Sequence, residues 1–245
     1  RGKRQAVLAV AMILGGVAAF AARGSVAGDL LSVGKDSVAI SSGGARSRPP
    51  WKSPEWVTPV FGWVGGVTRD ADGLVAISGN SRVMALDPST GAVKWETPVP
   101  SSLVNVPPAT GDGVIALTAR DGFFVFDRNT GAPLWESRTT EMTSTVQVGG
   151  GVVVTATYEG RLTVHEARTG VARWEVVMPG GVGAVPAIDP ETGTVVAIWQ
   201  GGAPADGRML ALDLATGAKR WVVQLFNGAS APVVGDGVVI VGGGD

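Results

Sequence analysis

Four segments of this chain repeat one pattern in register: small–x–acid–x–x–Thr–Gly–x–x–x–Trp. They are Ala85–Trp95, Val125–Trp135, Val164–Trp174 and Ala211–Trp221. The tryptophans Trp95, Trp135, Trp174 and Trp221 follow one another at spacings of 40, 39 and 47 residues, and Trp56 lies 39 residues before Trp95. A period near 40 is the mark of a repeat architecture in which each unit buries its apolar faces against its neighbours.

Every position of the pattern has a local task. The acids Asp87, Asp127, Glu166 and Asp213 open a tight turn in which a carboxylate can accept backbone N–H groups. Gly91, Gly131, Gly170 and Gly217 supply the positive φ that closes it. The apolar run before each acid suits one strand, and the run carrying Trp suits an antiparallel partner. The indole then offers a flat face to whatever packs beside the hairpin. A second hairpin precedes each motif. Pro232–Val241 turns at Gly235-Asp236-Gly237, Pro108–Leu117 at Gly111-Asp112-Gly113, and Thr143–Thr157 at Gly149-Gly150-Gly151. Asp-Gly and Gly-Gly between short Val-rich runs are hairpin signals. Each period thus holds four short antiparallel strands, the content of a propeller blade. Pro108, Pro186 and Pro232 fall in the first strand of their units, which suits an innermost edge strand. Glycine, at 37 of 245 residues, argues against a mostly helical fold. A β-sandwich also uses short strands, but it does not account for Trp at one fixed phase. The predicted fold is an all-β propeller of four-stranded antiparallel blades, preceded by an N-terminal apolar helix.

The motif resembles the pyrroloquinoline-quinone-type (PQQ) repeat, whose blades carry Ala-x-Asp-x-x-Thr-Gly-x-x-x-Trp. Ala85–Trp95 and Ala211–Trp221 match at every fixed position. The second motif has Val125 for Ala, and the third has Val164 for Ala and Glu166 for Asp. The resemblance implies a propeller over residues 56–245 in which Trp56, Trp95, Trp135, Trp174 and Trp221 dock one blade on another. It brings with it quinone-dependent alcohol dehydrogenases, the assembly factor BamB and extracytoplasmic sensor domains of membrane kinases. Rings of this family have seven or eight blades. Four blades are counted from Gly65 to Leu225 and a fifth starts at Ser230, so the chain is expected to be part of a larger ring. The Trp56 strand is expected to close that ring by joining the last blade.

Residues 1–23 form a different region. Arg1-Gly2-Lys3-Arg4 is basic, Ala6 to Ala22 carries no charge, and Arg23 ends the run. Apolar length and flanking charge favour a signal peptide or transmembrane anchor over a buried alanine-rich helix, with the N-terminus inside. Residues 24–55 read as a linker, rich in Ser, Arg and Pro from Gly43 onward. The propeller is then expected at the membrane or outside the cytoplasm.

Charge and composition narrow the chemistry. Twenty Lys and Arg against 21 Asp and Glu leave no basic excess, so no nucleic-acid partner is expected. The absence of Cys removes disulfides, thiolate metal sites, cysteine catalysis and a lipid-modified cysteine. The lone His165 replaces the Leu or Phe of the other motifs and has no acid or nucleophile beside it in sequence. It reads as a packing residue. The four motif acids read as turn caps rather than catalytic or calcium-binding carboxylates. Gly242-Gly243-Gly244 resembles a phosphate loop only superficially, because no helix follows it.

In a four-stranded meander the loops between strands two and three, and between blades, emerge on one face, opposite the Thr-Gly turns. Trp199 lies off the repeat beat and, with Gln200, opens the longer loop of the fourth unit. A cover over the blade interface is the favoured reading of Trp199, with ligand binding as the alternative. Asn105, Arg138 and Asn227 are further candidates on that face. No catalytic, cofactor or metal residue is assigned. The expected function is a non-catalytic binding or scaffold propeller with a protein partner in the cell envelope and no cofactor. One alternative is a PQQ- and calcium-dependent dehydrogenase. The other is an extracytoplasmic sensor domain of a larger membrane protein such as a Ser/Thr kinase.

Overall fold

The computed structural model describes residues 30–34, 37–41, 56–60, 63–178, 180–182, 184–201, 207–225 and 229–242. The apolar segment 6–22 lies outside them, as does Asn227. The described residues are strands and turns without an α-helix.

Four successive sheets are antiparallel meanders. The first holds β4 (Gly66–Arg69), β5 (Val75–Gly79), β6 (Arg82–Leu86) and β7 (Val93–Pro98). The second holds β8 (Ala109–Gly111), β9 (Val114–Ala119), β10 (Gly122–Asp127) and β11 (Pro133–Arg138). The third holds β12 (Thr143–Gly149), β13 (Val152–Thr157), β14 (Arg161–Glu166) and β15 (Ala172–Val177). The fourth holds β17 (Ala187–Asp189), β18 (Thr194–Gln200), β19 (Gly207–Asp213) and β20 (Lys219–Leu225), and the short β16 (Gly181–Val182) extends β18. A two-stranded sheet, β21 (Val233–Gly235) with β22 (Val238–Ile240), follows.

The turn chemistry explains the hairpins. Asp112 and Gly113 have φ of +46° and +76°, Gly150 and Gly151 +63° and +76°, and Asp236 and Gly237 +51° and +72°. Two consecutive positive φ values match the right-handed twist of the flanking strands. Pro108, Pro186 and Pro232 stand immediately before β8, β17 and β21 rather than inside them. There a missing N–H costs no ladder bond.

The sheets stack as blades, not as two facing layers. The first strands β4, β8, β12, β17 and β21 contact one another in sequence around the inside. Strands two and three are buried on both faces. In β9, Ile115, Leu117 and Ala119 pack toward the first blade with Ala76, Val83 and Ala85. Val114 and Ala116 pack toward the third with Val146 and Val153. Val154 and Val164 of the third blade meet Val195 and Leu212 of the fourth. Period-two alternation therefore sorts apolar residues between two interfaces, and the strand reads as one unbroken apolar run.

One expectation is corrected. The stretch read as linker contains β1 (Leu30–Gly34) and β2 (Ser37–Ser41), and β2 pairs with β3 (Val57–Pro59). The Trp56 strand thus belongs to a three-stranded sheet of its own neighbours, and among the described residues it does not join the last sheet. The signal was the pair of Leu/Val/Ile runs on either side of Gly34-Lys35-Asp36, hidden beside the Ser- and Pro-rich residues after Gly43.

Candidate functional site

The motif tryptophans meet the motif glycines of the following sheet. The indole N–H of Trp56 donates to Pro88 O (3.0 Å), Trp95 to Arg128 O (3.0 Å), Trp135 to Ala167 O (2.8 Å) and Trp174 to Leu214 O (2.9 Å). Each acceptor directly follows a motif acid. A Cβ built on Gly91, Gly131, Gly170 or Gly217 would stand 2.3–2.7 Å from the ring of Trp56, Trp95, Trp135 or Trp174 respectively. The glycines thus serve twice, for φ near +70° and for the close seat of an indole. The rings are half-buried rather than fully buried, since they stand on the outermost, alternately exposed strands. Trp221 packs on the buried core shared by the fourth sheet and β22, as Val223 and Val234 do, and meets no motif glycine among the described residues.

The motif acids act as turn caps in three of four cases. Asp87, Asp127 and Asp213 each accept two backbone N–H groups of their turn at 2.9–3.2 Å. The Ser89 hydroxyl and turn amides hold Asp87 down to about 2, and Arg220 with the Thr216 hydroxyl and amide holds Asp213 there also. Glu166 differs. Its longer side chain swings to Arg173 (2.6 and 2.9 Å). Ion pairs lace the same face between blades. Arg128 reaches Asp70 (2.5 Å) and Asp72 (3.3 Å), and Arg168 reaches Asp127 (2.9 Å). All these groups are committed to architecture.

The opposite face carries the loops. Its turns are joined in series by backbone hydrogen bonds: Val99 N to Ser81 O, Arg120 N to Ser102 O, Thr139 N to Asp121 O, Tyr158 N to Met142 O and Met178 N to Gly160 O. Each links an interblade loop to a turn between strands two and three. Between the second and third blades this rim encloses an open depression of about 510 Å³, lined by Asp121, Arg138, Thr139, Thr140, Glu141 and Arg161. Arg138 lies over the Phe124 ring, 4.7 Å from its centroid, and pairs with Asp121 and with Glu136 (3.1 Å). Arg161 grips Glu141 through Nε and Nη2 at 2.9–3.1 Å and also pairs with Glu175. The Ser101 hydroxyl, and then Arg138, hold Asp121 below the usual carboxylate range. Arg161 and the Thr157 hydroxyl do the same for Glu141. These carboxylates are ionised and paired, so none is set up as a proton donor at neutral pH.

Above the pairs stand exposed apolar side chains. Met142 is 66% exposed, Tyr158, the single tyrosine of the chain, 50%, and Trp63, at the corresponding end of the first blade, 48%. Sequence reading picked out Arg138 here but missed Met142, Tyr158 and Trp63, which no repeat position marks. Asn105 is exposed in an interblade loop of the same face. Trp199 does not join this surface as a free ring. It is half-buried on the core of the third and fourth blades, paired with Val182, with its Cδ1 beside Gly180. Gln200 pairs with Gly181.

The quinone and calcium implied by the resemblance call for a donor cluster and a free stacking platform. Among the described residues no group of three or more His, Cys, Asp or Glu side chains could share a metal ion. The indoles of Trp56, Trp95, Trp135 and Trp174 are spent on motif glycines. On the inner side, a cavity of about 430 Å³ is bordered by Thr68, Arg69, Thr110, Thr145 and Gln147.

Known proteins share this architecture. Solved structures similar to the chain include BamB from Moraxella catarrhalis (19% identity, TM-score 0.56, covering 86% of this chain and 75% of that one). A quinohemoprotein alcohol dehydrogenase from Pseudomonas putida HK5 is similar at 17% identity and TM-score 0.52, over 68% of this chain and 36% of that one. A chain of a mitotic checkpoint complex is similar at 13% identity and TM-score 0.56, over 66% and 51%. A search of curated proteins finds no significant match. The family model described as outer membrane protein assembly factor BamB matches residues 34–147 and again residues 123–245. Two overlapping matches that together span residues 34–245 place the chain in the PQQ-repeat propeller family of BamB.

Proposed function

We propose that this protein is a non-catalytic binding propeller, anchored in or exported across the membrane, that presents its loop face to a protein partner in the cell envelope. The observation that carries the proposal is that face itself. A rim of turns joined loop to loop holds Met142 and Tyr158 in solvent beside paired charges, and Trp63 stands exposed at the corresponding end of the first blade. Exposed aromatic and methionine side chains on a rigid support are what a protein partner buries at low entropic cost. Membership of the BamB family supports a protein-binding role, and the basic-flanked apolar run 6–22 supports a site of action outside the cytoplasm.

The test is site-specific photocrosslinking in cells. A crosslinker at Tyr158 or Met142 should capture one discrete envelope protein. The same group at Val171, 62% exposed on the motif face, should not. Equal capture from both faces, or capture from Val171 alone, would remove the loop face as the binding surface. Because the chain has no cysteine, a Val171→Cys variant in spheroplasts reports location directly. Labelling by a membrane-impermeant maleimide is expected, and protection until lysis would overturn the extracytoplasmic reading.

A further inference from the structure

The third motif carries a feature that the other three lack. The residue before the motif acid belongs to the buried cluster on which the docking indole of the preceding blade packs: Leu86 for Trp56, Phe126 for Trp95, and Leu212 for Trp174. In the third blade that position is His165, 6% exposed, its ring 5.1 Å from Trp135 at a 35° tilt. An ionisable group thus occupies the seat of an interblade wedge.

We propose that the joint between the second and third blades is an acid-sensitive latch, in which protonation of His165 loosens the seat of Trp135. The polar surroundings accommodate both protonation states. Nδ1 lies 3.2 Å from Gly170 O and Nε2 lies 3.3 Å from the Thr155 hydroxyl. In the neutral ring Nδ1–H donates to Gly170 O and Nε2 accepts from Thr155. In the cation Nε2–H donates to Thr155 Oγ1, and the threonine proton turns to Thr163 O, 3.4 Å away. No hydrogen bond is lost, so protonation mainly places a charge among buried groups.

The neighbours give that charge little help. Thr155 on β13, Thr163 on β14 and Trp135 on β11 are uncharged. Glu175 on β15 is the acid in electrostatic reach, and it already pairs with Arg161. Glu166 is held by Arg173, and Arg168 by Asp127. Burial therefore dominates and holds the imidazole below its ordinary value of 6.5. The sign follows. A base whose folded-state value is depressed binds its proton more readily when the joint is open. The closed joint keeps its full stability above pH 6.5 and loses it as pH falls from there toward the folded-state value. The same loop of contacts carries the Trp135 indole bond to Ala167 O and the ring's seat on Gly170.

The experiment uses NMR on the full chain with 15N-labelled tryptophan. The lone histidine gives one imidazole C2–H resonance to titrate. Hydrogen-exchange protection of the Trp135 indole is divided by that of Trp95, whose seat carries Phe126, so the intrinsic pH dependence of exchange cancels. The histidine should titrate below the ordinary value. The Trp135-to-Trp95 ratio should fall at least about threefold from pH 7.5 to pH 5. His165→Leu and His165→Phe, which install the residues of the sister blades, should each abolish that fall. A titration at or above the ordinary value, a ratio independent of pH, or an equal fall in both variants would each overturn the latch.

Discussion

Gly131→Ala tests the docking geometry most sharply, because a control position lies in the next blade. At Gly131, φ is +71° and a new Cβ would stand 2.4 Å from Cε3 and 2.6 Å from Cδ2 of Trp95, and 2.8 Å from Thr97 Oγ1. None of those atoms is the end of a flexible chain. At Gly151, φ is +76° and nothing lies within 4 Å. Both substitutions bear the left-handed strain of about 1 kcal/mol and the same unfolded-state effect. Only Gly131→Ala also displaces a ring, an overpacking cost of about 1–3 kcal/mol. It also disturbs the Trp95 N–H bond to Arg128 O, worth about 1 kcal/mol. Gly131→Ala should therefore cost roughly 3–5 kcal/mol and Gly151→Ala about 1 kcal/mol. Urea unfolding followed by far-UV circular dichroism, compared at unchanged slope, measures the difference. Repeating Gly131→Ala in a Trp95→Ala background should lower its cost toward that of Gly151→Ala, leaving the contact with Thr97 Oγ1, a coupling read from the double-mutant cycle. Equal costs for the two glycines, or no coupling to Trp95, would refute the wedge.

Three further outcomes follow from the same contacts. Arg128→Ala should cost about 3 kcal/mol in urea unfolding, because it strands Asp70, whose side chain is 7% exposed, without its interblade cation. The turn-cap contribution of Asp87 and Asp213 should be constant above pH 3.8 and fade as pH falls toward about 2. Acid titration of the urea midpoint should show that fade, and Asp87→Asn with Asp213→Asn should make it shallower, the remainder coming from lowered carboxylates such as Asp121 and Glu141. Trp199→Ala should cost about 3 kcal/mol by opening the interface of the third and fourth blades. It should leave crosslinking from Tyr158 intact, whereas loss of crosslinking at unchanged stability would make Trp199 a contact residue.

The sequence by itself determined the unit. An acid capping its own turn, a glycine at positive φ and a two-residue hairpin are contacts within a few residues, so spacing alone exposes them. Repetition of that unit at a near-constant period then implies that its two apolar faces meet copies of themselves, and this is a propeller. The tertiary structure decided what lies across blades. Arg128 finds Asp70 at 58 residues' separation, and, within the third blade, the longer Glu166 leaves its turn for Arg173. His165 meets Trp135 only once two sheets have stacked, whereas Met142 and Tyr158 meet at the end of the β12–β13 ladder of one sheet. The hairpin of β1 and β2 was legible in its apolar runs yet needed β3, 16 residues beyond Ser41, to give it a partner. Local patterns record backbone geometry, whereas a binding face is assembled from loops whose nearness no spacing encodes.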